Sequence, residues 1–383
     1  MLPARSVSLW NALIVGYIDH GYGEEAVECF KQMQWEGVTP DVVTYVCSLR
    51  ACGSIGAIDK GKQIHEQIVS RGLLKNHIVL GTALTDMYAK CGELGKAQEV
   101  FDELPFRDVV SWNSLMTGYA RNGQAAEALN CFQKMQFIDH ISPDAVSFIV
   151  ALKACGSIGA IDKGKQIHDD ISSKGFLRHD TILGTALVDM YAKCGALEKA
   201  KQVMENETFV QNVASWNALI SGCVEHGQPK EALNCFKQMQ HERFLPDEVT
   251  YLGVLTACSH SCFVEEGSLH FENMSKKHGL TPNNQHHTCM IDLFARTGRF
   301  DEAMMMIKKM PSSYYSPVWC ALLSSCRKWG NWKLGRLAFE QAIHLDSNLA
   351  AAYVLMVNIY VTAGMHEDAA KVREALKSKI MRK

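Results

Sequence analysis

Apolar residues return along the chain at three- and four-residue spacing in short segments. In Glu24–Met33, for example, Ala26, Val27, Phe30 and Met33 fall together on one helical face. Explicit stops separate such segments. Gly21, Gly56, Gly92, Gly123, Gly159, Gly195, Gly227 and Gly298 stand where the first helix of a pair should end, a place that favours a left-handed backbone. Pro40–Asp41, Pro143–Asp144 and Pro246–Asp247 each close a pair, because proline lacks the donor that would continue a helix. The pattern predicts an all-α chain of helical hairpins.

The hairpins are copies. Ala51–His65 returns letter for letter as Ala154–His168, 103 residues on, and Thr82–Gly92 returns as Thr185–Gly195 with one change. Trp10–Ile14 returns as Trp216–Ile220 after twice that shift, with Trp112–Met116 between. A fixed period describes an array in which each unit packs on its neighbours. Each 103-residue block divides into three hairpins. The units run 7–41, 42–77, 78–108, 109–144, 145–180, 181–212, 213–247, 248–283 and 284–315, and two looser hairpins occupy 316–383. Leu2–Ser6 aligns with Leu104–Asp108, the close of a short unit, so residues 1–6 are expected to be the end of a truncated repeat.

Composition narrows the function. No run approaches the roughly 18 apolar residues of a membrane helix, and a net charge of −2 excludes a polycationic binder. Any nucleic-acid binding must rest on local contacts. Of the 14 cysteines, Cys29, Cys131 and Cys235 share one repeat position, Cys52, Cys155 and Cys258 a second, and Cys91 and Cys194 a third. No Cys-x-x-Cys occurs, so reduced thiols packed in helices are expected rather than zinc or disulfides.

Val109–Gly123, Asp86–Gly92 and Phe101–Asp108 resemble the pentatricopeptide repeat (PPR) proteins of plants. The alternation of about 35, 36 and 31 residues resembles their PLS subclass. Val318–Leu323, Gly330, Asn331 and Asn358–Gly364 resemble the tetratricopeptide-like E extension of that subclass. The resemblance covers essentially the whole chain. It implies a right-handed α-solenoid superhelix, an organellar address (mitochondrion ahead of chloroplast) and single-stranded RNA as partner.

In such an array one side chain near the start of each first helix and one at the unit's end can converge on a base, one base per repeat. The fifth and last residues pair Asn11 with Asp41, Asn113 with Asp144, Asn217 with Asp247, Thr82 with Asp108, and Thr185 with Asn212. Long units offer Val46, Ile149 and Leu252, which cannot hydrogen-bond and would stack on a base. Taken singly, an Asn in a first turn or an Asp after Pro is a helix-start or turn residue. Five polar pairs in register favour reading. By the family's code, as the resemblance implies, the array predicts U-n-G-U-n-A-U-n-n, read 5′ to 3′. The ninth unit, with Thr288 and Tyr315, departs from the code.

Other chemistry is thin. His65 and His168 recur within Gln-Ile-His, with His270 nearby, which suggests structural roles. Lys90, Lys193, Arg121 and Arg296 end first helices, where they suit the helix dipole and could touch phosphates. Many relatives in this subclass end in a DYW-type zinc deaminase with His-x-Glu and Cys-x-x-Cys. His366–Asp368 does not match it, so no catalytic residue, metal or cofactor is expected in this chain. The resemblance then implies site recognition for C-to-U editing, with the footprint starting about 12 nucleotides before the edited C. The deaminase would come from a missing C-terminus or a partner recruited by the E-like tail. Transcript splicing or stabilisation, and a protein-binding scaffold, are the alternatives.

Overall fold

A computed structural model describes residues 6–75, 77–178, 180–206, 210–310 and 316–380. The truncated-repeat reading of residues 1–6 therefore falls, but for Ser6, outside the described residues, and so does Tyr315. The described residues hold 22 α-helices and no strand, and the chain divides into two compact units, Met1–Val210 and Gln211–Lys383.

The first unit contains six hairpins: α1 (Val7–Asp19) with α2 (Gly23–Trp35), α3 (Val42–Ile55) with α4 (Ile58–Ser70), α5 (Ile78–Lys90) with α6 (Leu94–Asp102), α7 (Val109–Arg121) with α8 (Ala125–Phe137), α9 (Ala145–Ile158) with α10 (Ile161–Ser173), and α11 (Thr181–Lys193) with α12 (Leu197–Met204). First helices pack on one another in sequence from α1 to α11, and each second helix from α2 to α10 lies against its own partner and the next first helix. Two layers result, one of first helices and one of second helices.

The second unit repeats this plan with α13 (Val213–Glu225) and α14 (Pro229–His241), α15 (Glu248–Ser261) and α16 (Val264–Lys276), α17 (Asn284–Arg296) and α18 (Phe300–Lys309), α19 (Ser316–Trp329) and α20 (Trp332–Leu345), and α21 (Ala350–Thr362) and α22 (His366–Ile380). Its first helices α13, α15, α17, α19 and α21 again pack in series.

The seams are close because small residues face them. A Cβ on Gly118 of α7 would collide with the Cβ of Ala89 on α5, and one on Gly61 or Gly164 would meet the Met87 or Met190 side chain. Trp10, Trp112 and Trp216, each preceding an Asn, are buried in the core. Cys52, Cys155, Cys258, Cys131 and Cys235 are buried too, while Cys29, Cys91 and Cys194 are half-buried. Burial pushes the Cys52 thiol up to about 11 and those of Cys131, Cys155 and Cys258 up to about 12, which makes them poor nucleophiles. His65 and His168 serve structure. Each ring Nδ1 meets a tyrosine hydroxyl on the next first helix, Tyr88 or Tyr191, at 2.9 Å, with the rings edge to face. In the third block Phe271 and Phe294 hold those two places, and His270 stands edge-on to Phe236 instead.

The eight glycines all take positive φ, between 67° and 83°. The remaining first helix of the three complete blocks, α15, ends differently. Cys262 occupies the left-handed cap, at φ 57°, where the two earlier copies have Gly56 and Gly159. A side chain there costs about 1 kcal/mol. Cys262→Gly is therefore expected to stabilise the chain by about 1 kcal/mol in urea unfolding, with Gly159→Cys showing the opposite sign.

Candidate nucleic-acid interface

The last residue of a unit caps the first helix that follows it with its side chain at α3, α7, α9, α11, α13, α15 and α17, whereas His77 before α5 makes no such bond. Asp41, Asp144 and Asp247 are the N-caps of α3, α9 and α15. Their Oδ1 atoms accept the backbone N–H of Thr44, Ser147 and Thr250 at 2.8 Å, and those residues' hydroxyls accept the aspartate N–H in return. Such a reciprocal cap satisfies two of the four orphan donors at a helix start, and is worth about 1 kcal/mol.

The same carboxylates hold the candidate reading amides. Asn11 Nδ2 donates to Asp41 Oδ1 at 3.1 Å, Asn113 Nδ2 to Asp144 Oδ1 at 3.0 Å, and Asn217 Nδ2 to Asp247 at 3.0 Å (Oδ1) and 3.2 Å (Oδ2). The cap hydroxyl of Thr44, Ser147 or Thr250 lies 2.6–2.7 Å from the Asn Oδ1. It also lies 2.8–2.9 Å from the Asp Oδ1, and its single proton serves one acceptor at a time. With a carboxylate on one side and a hydroxyl on the other, the amide has one sensible orientation. Its second N–H and the free lone pair of its oxygen make no further hydrogen bond among the described residues, with Asn113 and Asn217 each 8% exposed. Burial works to raise the Asp41 and Asp144 carboxyls, but the bonds from Thr44, Ser147 and the two asparagines hold both below the ordinary 3.8. The stability they supply is present above that value and is lost as pH falls below it.

The threonine pairs are arranged differently. Asp108 caps α7 with Ser111, but no hydrogen bond joins it to Thr82 among the described residues. Thr lacks the reach of Asn, and the Ser111 hydroxyl turns to the Asp108 carbonyl at 2.9 Å. Thr185 lies in the first compact unit, where its hydroxyl donates to Thr181 O at 2.8 Å. Asn212 lies in the second, capping α13 with Ser215. Thr288 Oγ1 donates to Asn284 O at 2.7 Å. Val46, Ile149 and Leu252 are half-buried at the fifth residues of α3, α9 and α15.

One row of residues escaped the sequence reading. The second residue of a first helix is an exposed branched aliphatic six times: Val43, Val79, Val110, Val146, Ile182 and Val249, at 50–67% exposure. Val43, Val146 and Val249 are spaced by the period, as are Val79 and Ile182. That recurrence of an apolar residue on a solvent-facing turn was the available signal. Among the basic residues, Lys90, Lys193 and Arg296 are each bonded to the aspartate one turn earlier, at 2.7, 2.8 and 2.6 Å. Arg121 is exposed and has no ion pair among the described residues.

Comparison with known proteins now bears on this geometry. The PPR repeat family matches residues 5–54, 107–157 and 211–260, single PPR repeats match 82–109 and 286–314, and the E motif matches 329–383. A putative pentatricopeptide repeat-containing protein of Arabidopsis thaliana is 39% identical over 99% of this chain and 68% of its own length. The chain belongs to the PPR family. The chloroplastic PPR protein CRR2 of A. thaliana is 38% identical over 99% of the chain, which spans 58% of CRR2. The structure of PPR10 in complex with an 18-nt psaJ RNA element matches 98% of the chain and 61% of PPR10, at TM-score 0.69 and 18% identity. The fold is the PPR α-solenoid.

The double bonding of Asp144 makes a stability prediction. Asp144→Ala is expected to cost about 1 kcal/mol by loss of the cap, whereas Asp144→Asn should change urea stability by only a few tenths, since Asn caps nearly as well.

Proposed function

We propose that this PPR chain reads a single-stranded organellar RNA base by base, and that it is the site-recognition part of a C-to-U editing factor. The observation that carries the reading is the triple recurrence of an Asn amide held between a carboxylate and a hydroxyl. An amide fixed in this way presents one donor and one acceptor in a set orientation. Uracil's pairing edge offers a carbonyl oxygen and an N–H, the complementary set. The nine hairpins from Val7 to Tyr315 are the reading units, and in six of them the exposed second residue, Val43, Val79, Val110, Val146, Ile182 or Val249, stands beside the base as an apolar wall, joined by Val46, Ile149 and Leu252 in the long units. PPR10, named as an RNA complex, and the chloroplastic relatives support the partner and an organellar address. The E motif over 329–383 supports a recruiting role for the tail. The deaminating chemistry lies in a DYW-type domain elsewhere, in trans or in a longer form of the protein.

Binding to short RNAs tests the code. An oligonucleotide carrying U-n-G-U-n-A-U should bind about 30-fold tighter than one with G and A exchanged, at roughly 1 kcal/mol for each of the two misread bases. Equal affinity would leave a protein scaffold as the better reading. Asn212→Asp should move preference at its nucleotide from A to G, and an unmoved preference would refute the register. Editing is tested in a plant line lacking the protein. A C left unedited downstream of that motif is the expected result, and fully edited transcripts with altered splicing or abundance would remove the editing role.

A further inference from the structure

The reading face carries a charge pattern that base recognition does not use. On α3 the exposed Arg50 stands one helical turn beyond Val46, on the same face, and on α9 the exposed Lys153 stands one turn beyond Ile149. Neither has an ion pair among the described residues. On the adjacent short-unit helix, Lys90 and Lys193 are neutralised by Asp86 and Asp189 at 2.7 and 2.8 Å. Their stems cross the long-unit helix at a glycine: a Cβ on Gly53 would lie 3.2 Å from Lys90 Cδ, and one on Gly156 would lie 3.3 Å from Lys193 Cδ. Gly53 and Gly156 sit three residues beyond Arg50 and Lys153, so each seam carries two cations and one carboxylate, the carboxylate bonded to the short-unit lysine. One positive charge is left over, and the pattern repeats after 103 residues. The third copy drops it. Thr256 stands at the cation's place, its hydroxyl bonded to Leu252 O at 2.7 Å, and Ser259 donates to Asp292, the partner of Arg296. The second seam is the more positive of the two, because Arg121 ends α7 where Asp19 ends α1.

We propose that Arg50 and Lys153 bind backbone phosphates of the RNA strand, so that these two long units grip the strand where they do not read it. This rests on the RNA-binding reading above and adds a periodicity to it: with one nucleotide per unit, a phosphate contact falls every third nucleotide. An unpaired cation beside an apolar stacking residue is a sequence-independent device for single strands. The test is a salt titration of affinity for the U-n-G-U-n-A-U oligonucleotide and its G/A-exchanged counterpart, with Arg50→Gln, Lys153→Gln and the double variant. Each cation removed should flatten the log–log salt dependence by about 0.7, so a fourfold rise in salt should weaken binding about 2.6-fold less per cation. Both oligonucleotides should lose affinity by the same factor, and Lys153→Gln should have the larger effect. Lys90→Gln, which removes a paired charge, should change the slope less. An unchanged slope in the double variant, or a loss confined to one oligonucleotide, would overturn the phosphate assignment while leaving RNA binding intact. Absence of binding to either RNA by the unaltered protein would instead remove the parent reading and this one with it. Circular dichroism melting of the variants separates these outcomes from unfolding.

Discussion

The hydrogen bond from an asparagine in one first helix to the carboxylate that caps the next is the contact on which this array turns. It joins the side chain proposed to read a base, the residue that ends its unit, and the start of the following helix. The bond therefore fixes an amide and positions a neighbour at once. Desolvation would make an unpaired carboxylate costly here, and the hydrogen bonds that Asp41 and Asp144 accept from the cap and from the asparagine offset that cost. Reading and stacking are in this sense one interaction seen from two hairpins.

This dual use dissolves an opposition that the sequence alone left standing. An aspartate after proline looks either like a cap or like a recognition residue, and pattern weighs one against the other. The geometry shows Oδ1 engaged in capping and in holding the amide, while in Asp41 and Asp144 the second oxygen takes no part in either set of bonds. A linear string of residues cannot reveal such sharing, because Asn11 and Thr44 meet only once α1 and α3 are packed.

Much of the fold was legible because its signals are local and repeated. Glycines past helix ends, prolines before caps and three-four apolar spacing act over a few residues. The left-handed Cys262 was not legible, since nothing in its own side chain asks for that backbone. The exposed valines were hidden by the opposite problem: an apolar residue at a helix start looks like core until the packing shows which way the turn faces. Likewise, Lys90 and Lys193 read as available cations until Asp86 and Asp189, one turn away on the same helix, are seen bonded to them. The reach of threonine was the remaining blind spot, for Thr82 shares the register of Asn11 without making its bond.

The near-identity of the seams has a folding consequence. The α3–α5 and α9–α11 interfaces present matching surfaces, with Gly53 against Met87 and Lys90 in one and Gly156 against Met190 and Lys193 in the other. As far as local complementarity goes, α3 fits α11 as well as it fits α5. What selects the near partner is the shorter connection, worth about 1.5 kcal/mol in loop-closure entropy for a chain roughly six times shorter. That is a narrow margin. A nascent array of this kind gains fidelity from meeting its neighbours in order, as synthesis from the N-terminus presents them, and refolding of the whole chain at once invites mispaired and exchanged hairpins.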